Sequence, residues 1–215
     1  MTSRAEETRA RLRDAALSVV RERGVGGASA RTIAAAAGVN QALIFYHFGS
    51  LSDLIAAASD AAVEDRIALY REAFADVRSL SDLLSIARDV HERERQAGSI
   101  AVMAQIMAGA QDDPVLAGAA RRALAAWSGE VDAVLRRVLP ASPVGSLLES
   151  TGLAQLVSAS FVGIELYHAA DPDAADLAFA TIERLNDVVS AIESLGPAAQ
   201  RVLRLAGSHV SKRAT

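Results

Sequence analysis

Apolar residues recur along this chain at spacings of three and four, and strict alternation is missing. Between residues 4 and 23, Leu12, Ala16, Val19 and Val20 share one helical face, the pattern of a helix with one buried stripe. Gly24 ends that helix and Gly24-Val-Gly-Gly27 reads as a loop. Ser29 suits the N-cap of a short helix over 30–37 that Gly38 stops. Asn40 is a second N-cap candidate, for a helix over 41–47 stopped by Gly49. Ser50 with Asp53 then opens the next helix as a capping box. Longer helices are expected at 51–77, 80–96, 100–110, 114–139, 146–170 and 174–195. The breaks between them are Gly98, Asp112-Asp113-Pro114, Pro140-Ala-Ser-Pro143 and Asp171-Pro172. Pro114 suits the first position of its helix. A last short helix is read after Gly196-Pro197, and 208–215 as a frayed tail. Ala fills about a fifth of the positions, which agrees with an all-α chain.

Two short helices joined by a glycine turn, after a longer one, make a helix-turn-helix. Here the stretch is ARTIAAAAGVNQALIFYHFGS, from Ala30 to Ser50. Ile33 and Ala37 point inward from the first short helix, and Val39, Ile44 and Phe48 from the second segment. Packed on Leu12, Ala16 and Val19, they close a three-helix core. Gln41, Ala42, Phe45 and Tyr46 share the opposite face. That face carries aromatics and no charge, which suits a major groove better than solvent. Gln can bond an adenine edge, and Ala or an aromatic ring can meet a thymine methyl. Tyr46 and His47 can donate to phosphates, and Arg31 and Thr32 stand where a helix start can hold one. By spacing alone, a plain helical hairpin with core aromatics remains an equal reading, because a helix-turn-helix is a shape before it is a function.

Composition narrows the classes. The chain has 215 residues and no cysteine, so disulfides, thiolate metal sites and a cysteine nucleophile are excluded. A hydrophobic share of 51% is too high for a disordered chain. No stretch reads as a membrane span or a signal peptide, and the expected location is cytoplasmic. Residues 1–50 hold seven Arg against four acids, whereas the remainder carries a balance of −7 within a total of −4. A basic head on an acidic body fits a polyanion-binding module joined to another function. No HExxH, GxSxG, P-loop or GxGxxG motif occurs, and the four histidines show no ligand spacing. No enzyme, metal or cofactor is therefore expected.

From the first helix to Leu54 the chain resembles the DNA-binding domain of the TetR family of bacterial transcriptional repressors. The resemblance is carried by Thr32-Ile33-Ala34, Ala37-Gly38-Val39, Ile44-Phe45-Tyr46-His47-Phe48-Gly49-Ser50 and Asp53-Leu54. It implies DNA contacts from Thr32, Gln41, Tyr46 and His47, with Leu43 and Phe45 beside them. Adding the neighbours named from the helix geometry, the expected interface is Arg31, Thr32, Asn40, Gln41, Ala42, Leu43, Phe45, Tyr46 and His47. The chain departs from the family's habit at Leu51, where a phosphate-touching Lys often stands, and at Phe45, often a Tyr. It departs again at Asn40-Gln41-Ala42-Leu43, where Ser-x-Gly-Thr is common. Thinner phosphate contacts and a different base preference follow.

The expected organisation is a DNA-binding domain at 1–50 and a helical effector-binding and dimerisation domain at 51–215. The helix at 146–170 is apolar almost all round, through Leu147, Leu148, Leu153, Leu156, Val157, Phe161, Val162, Ile164 and Leu166, and is expected to be buried on more than one side. The next helix offers a seam of Ala178, Ile182, Leu185, Val189 and Ile192. Such features suit either a monomer core or a homodimer. The resemblance implies a dimer built from the last two long helices, and a helix-turn-helix needs two copies to read a palindrome. Met103, Met107 and Gln111 lie in a charge-free stretch, and Met lining suits an adaptable pocket. Trp127, Phe161 and Tyr167 could add walls, and His91, Glu165 and His168 polar groups, unless these are core or rim residues. The reading is a ligand-responsive regulator, a repressor, whose partners are operator DNA, a small largely apolar effector and a second copy of itself, with no membrane. The alternatives are a helical adaptor or a constitutive DNA binder without an effector.

Overall fold

The computed structural model describes residues 4–145 and 148–202, and the described residues hold helices and turns without a strand. Helix α1 spans Arg4–Gly27, but its backbone leaves helical geometry at Gly24 (φ 70°, ψ 170°). A Cβ at Gly24 would sit 2.8 Å from Gln105 Oε1. The positive φ calls for glycine there, whereas the Gln105 side-chain end could shift. Helix α2 is Ala30–Ala37, opened by a reciprocal cap. Thr32 N donates to Ser29 Oγ at 3.1 Å, and Ser29 N donates to Thr32 Oγ1 at 2.9 Å. Thr does here what Glu does in the usual capping box. Helix α3 is Ala42–Phe48, and Ala42 N donates to Asn40 Oδ1 at 2.8 Å. Helix α4 is Leu51–Asp76, with Asp53 N donating to Ser50 Oγ at 3.0 Å.

Helices α5 (Leu80–Ala97), α6 (Ser99–Gly109) and α7 (Pro114–Val138) follow, then a 3-10 turn at Leu139–Ala141. Helices α8 (Ser150–Ala170) and α9 (Pro172–Glu193) come next, and 197–202 is helical again. The stretch 24–27, expected as a loop, continues α1 beyond the kink at Gly24, and two helix starts differ from expectation by two residues or more. Helix α8 starts at Ser150 and not at 146, because the Glu149 carboxylate accepts from Thr151 N at 2.9 Å and Gly152 N at 2.6 Å. Those two bonds to the ionised form hold the Glu149 pKa below its ordinary value. Residues 146–147, Leu147 among them, lie outside the described residues, as does the tail at 208–215. Helix α9 starts at Pro172, since Asp171 Oδ1 accepts from Ala174 N at 3.1 Å. Proline has no N–H to leave unsatisfied at a first helical position.

Contacts group the chain into two compact units, Met1–Arg66 with Arg95–Ala126, and Ile67–Glu94 with Trp127–Thr215. The unit that holds the helix-turn-helix segment thus extends past residue 50 and takes in α6 and the first half of α7. Its head is built on Leu12, Ala16, Val19, Ile33, Ile44 and Leu54, all buried, with Ala37, Val39 and Phe48 packed on them. A second cluster joins Val20, Ile55, Ile106, Leu116 and Ala120. Each fully buried Leu or Ile contributes about 1.5–3 kcal/mol of apolar transfer.

The other unit is centred on Tyr70, Phe74, Val90, Val131, Leu135, Val138 and Leu139, with Trp127 and Phe161 against them. Arg137 Nη2 donates to the Phe74 carbonyl at 2.6 Å, satisfying a carbonyl near the end of α4. Helix α8 packs on α9, but it is not buried on more than one side. Within α8 only Ala154 and Ile164 are buried, whereas Leu156 and Leu166 face outward. The reason is that, among the described residues of the single chain, nothing lies over that face. Among the described residues no single helix is long and apolar enough to cross a membrane.

Candidate nucleic-acid interface

Helix α3 turns Ile44 fully into the core and leaves Gln41, Ala42, Phe45 and Tyr46 outward. Phe45 is 52% and Tyr46 80% exposed. Apolar rings are rarely left in water without a use, and this outward face carries no charged side chain. The Tyr46 and His47 rings meet edge to face at 4.9 Å, which limits the directions the phenol can take. His47 itself is half-buried. Leu43, expected at the interface, is half-buried and packs on the head core. Arg31 is exposed at the start of α2. The Thr32 hydroxyl and amide and the Asn40 Oδ1 are already engaged in capping α2 and α3, so these groups first serve to shape the two helices.

Sequence reading missed Arg9. From α1, 38 residues earlier, its Nη1 donates to the His47 carbonyl at 2.8 Å. The guanidinium carbon lies 4.7 Å from the centre of the Phe48 ring. No local pattern signals a contact across that separation.

The residues expected at an effector site fall in both compact units. Met103, Met107 and Gln111 are in the first, and Met107 packs on the core cluster around Ile106 and Leu116. Trp127, Phe161, Glu165 and His168 are in the second, each half-buried. There the buried His91 ring lies 5.0 Å from Phe161 and 4.4 Å from Phe179, centre to centre. Tyr70 Oη donates to Glu94 Oε1 at 2.6 Å, both side chains being buried. Phe179, Tyr70 and Glu94 were not expected, because their partners lie on other helices. A cleft of about 390 Å³ opens in the first unit between Val25, Leu51, Ser52, Ile55, Gln105, Asp112, Asp113 and Leu116. It takes in Gln105 of the charge-free stretch at 100–111, but not Met103, Met107 or Gln111. On its rim the Ser52 hydroxyl donates to Asp113 Oδ2, and Asp113 Oδ1 accepts from Val115 N at 2.8 Å. These bonds hold the Asp113 carboxyl below its ordinary pKa, the Ser52 hydroxyl contributing most.

Residues 12–58 match the family described as "Bacterial regulatory proteins, tetR family". Over 133 residues the chain is 31% identical to an uncharacterized HTH-type transcriptional regulator of Mycobacterium tuberculosis, and equally to one of Mycobacterium bovis. The alignment covers 60% of this chain and 66% of each relative, just under two thirds of their length. Among solved structures, a TetR-family transcriptional regulator from Rhodococcus superposes with a TM-score of 0.69 at 21% identity, over 87% of this chain and 99% of that one. The transcriptional regulator FadR from Bacillus subtilis, solved in complex with stearoyl-CoA, gives 0.68 at 15% identity, over 87% and 99%. At these identities the structures speak for the fold, and the match over the helix-turn-helix speaks for the family. With both in agreement, residues 12–58 carry the helix-turn-helix of the bacterial regulatory proteins of the tetR family, on a fold that TetR-family structures share.

Proposed function

We propose that this protein is a ligand-responsive transcriptional repressor that binds a palindromic operator as a homodimer. The observation that carries the reading is the uncharged, outward aromatic face of α3, with Phe45 and Tyr46 exposed beside Gln41. Gln41 would bond a base edge and Ala42 and Phe45 would meet thymine methyls. Tyr46, His47 and Arg31 would reach phosphates, which set register without reading sequence. Asn40, Leu43 and Thr32 would act through the placement of these groups.

Dimerisation is supported by the outward apolar faces of α8 and α9. Leu156, Leu166 and Tyr167 on the first, and Leu177, Leu185 and Val188 on the second, are all more than half exposed in the single chain. Of the expected seam, Ala178, Ile182, Val189 and Ile192 are turned partly inward and Leu185 faces out, beside the exposed Leu177 and Val188. Two copies joined there would place two recognition helices for half-sites about 34–36 Å apart, or a multiple of one turn. An effector would act from the helical body, where the His91 ring meets Phe161 and Phe179 and Tyr70 meets Glu94. Its chemistry would be largely apolar with one or two polar groups. The complex of the Bacillus FadR with stearoyl-CoA is one example of such chemistry on this fold.

The test is a gel shift with the purified protein and duplex DNA from beside its own gene. A shift competed by the specific duplex and not by random DNA supports the reading. Equal competition by both would reduce the protein to a non-specific binder, and no shift at micromolar protein would leave a helical adaptor.

A further inference from the structure

We infer that Arg9 is a positioning residue for the recognition helix and not a phosphate contact, a conclusion that rests on the DNA-binding reading of α3. Arg9 is the kind of residue a charge-based reading would assign to the DNA backbone. It is an arginine on α1 in the basic head of the chain, beside the helix-turn-helix. Two of its three nitrogens are turned elsewhere. Nη1 donates to the His47 carbonyl at 2.8 Å, Nε faces Glu6 Oε2 at 3.9 Å, and the guanidinium plane lies over the Phe48 ring at 4.7 Å. Glu6 also stands 3.8 Å from Arg13, so the local positive charge is already shared with a carboxylate.

The two residues Arg9 grips are the last two of α3. That helix is seven residues long, too short to be stable from its own hydrogen bonds. Its final carbonyls have no partner within the helix. Gly49 N donates back to Phe45 O at 3.0 Å, and Arg9 takes the His47 carbonyl. A cation at a helix C-terminus is also favoured by the helix dipole. The Phe48 ring fixes the direction from which the cation arrives, and Tyr46 and His47, whose rings meet edge to face, are thereby set within one turn of the Phe48 anchor. A planar guanidinium can stack and donate at once, whereas an ammonium on a flexible stem cannot hold both contacts.

The experiment compares wild type, Arg9→Ala, Arg9→Lys and Phe48→Leu on a duplex recovered by selection from a random-sequence pool with the wild-type protein. Affinity is measured across a salt series. Removing one phosphate-binding cation lowers the slope of log K against log salt by about 0.9. A positioning role predicts that Arg9→Lys and Arg9→Ala weaken binding to a similar extent, roughly tenfold, with the salt slope unchanged. It also predicts that Phe48→Leu and Arg9→Lys together weaken binding by less than the sum of their separate effects, since both break the same interaction. Wild-type affinity for Arg9→Lys, or a slope reduced by about one in Arg9→Ala, would overturn the inference. Hydrogen exchange of the free protein keeps the inference independent of the DNA reading. Arg9→Ala should speed exchange at the Gly49 amide relative to that of Gly38, which caps the other short helix, and equal protection in both proteins would overturn it. If no duplex is recovered while the Gly49 effect is seen, the DNA reading falls and the strut stands.

Discussion

Replacing Leu177 and Leu185 on α9 with Ala should abolish dimerisation without unfolding the protomer. The two side chains are 64% and 56% exposed in the single chain. Each Leu→Ala change removes three carbons, and burial is worth about 0.8 kcal/mol per methylene. Scaled to the part still open to a partner, this is roughly 1.4 kcal/mol per leucine. A two-fold interface uses the same patch twice, so the double variant loses about 6 kcal/mol, roughly a 10⁴-fold change in dissociation constant. An interface that covers only half of that surface still loses about 3 kcal/mol, roughly 100-fold. Sedimentation equilibrium across the micromolar range measures this directly. Circular dichroism should keep the wild-type helical signal, because exposed substitutions rarely move protomer stability by more than about 0.5 kcal/mol. Leu69→Ala on α4 is the control, a leucine equally exposed at 60% but outside α8 and α9. A double variant that dimerises as tightly as wild type, or a Leu69→Ala variant that weakens the dimer as much, would refute the assignment of the α8 and α9 faces.

Gln41→Ala should relax base choice at one operator position by about 1–3 kcal/mol, while Tyr46→Ala should weaken all sequences evenly, as read by competition with single-base operator variants. Ser29→Ala removes one arm of the α2 cap and should lower the urea midpoint by the equivalent of about 0.5–2 kcal/mol. Asp113 has a folded pKa below its ordinary 3.8, so the stability from its ionised form is complete above that value and is lost as pH falls through the folded pKa. Ser52→Ala removes the largest cause of the lowering. The difference in urea midpoint between wild type and Ser52→Ala should therefore be present at neutral pH and shrink in acid below 3.8, and a difference constant down to strongly acid pH would contradict the assignment.

The parts of this fold that the sequence discloses are those set by neighbours in the chain. Ser29, Gly38, Asn40, Gly49 and Ser50 act within a few residues of themselves, and the inward set of Leu12, Ala16, Ile33 and Ile44 follows from period alone. The start of α8 escaped because its cap is a glutamate, a residue that ordinarily marks a helix interior. The burial of α8 was overestimated for a different reason. Periodicity tells which face of a helix is apolar, but not whether that face is covered by the same chain or by another. On α3, the outward positions of Phe45 and Tyr46 were legible, whereas the Arg9 contact, bridging 38 residues, was not. In the body, Tyr70 with Glu94 and His91 with Phe179 are likewise meetings between helices that no spacing rule encodes.

The buried cluster of Val20, Ile55, Ile106, Leu116 and Ala120 has a consequence for engineering. It ties α1 and the first turns of α4 to α6 and the start of α7 through shared side chains. The reading head is therefore not a detachable cartridge. A hybrid regulator made by grafting another protein's residues 1–50 onto this body would bring a foreign residue to position 20, and with it a mismatch against Ile106 and Leu116. Cavity or overpacking costs of about 1–3 kcal/mol per mismatched side chain follow from dense packing. Successful recombination would carry the α6–α7 segment along with the head, or repack Ile55, Ile106 and Leu116 to suit the newcomer, so that inheritance of sequence specificity tracks a discontinuous set of residues.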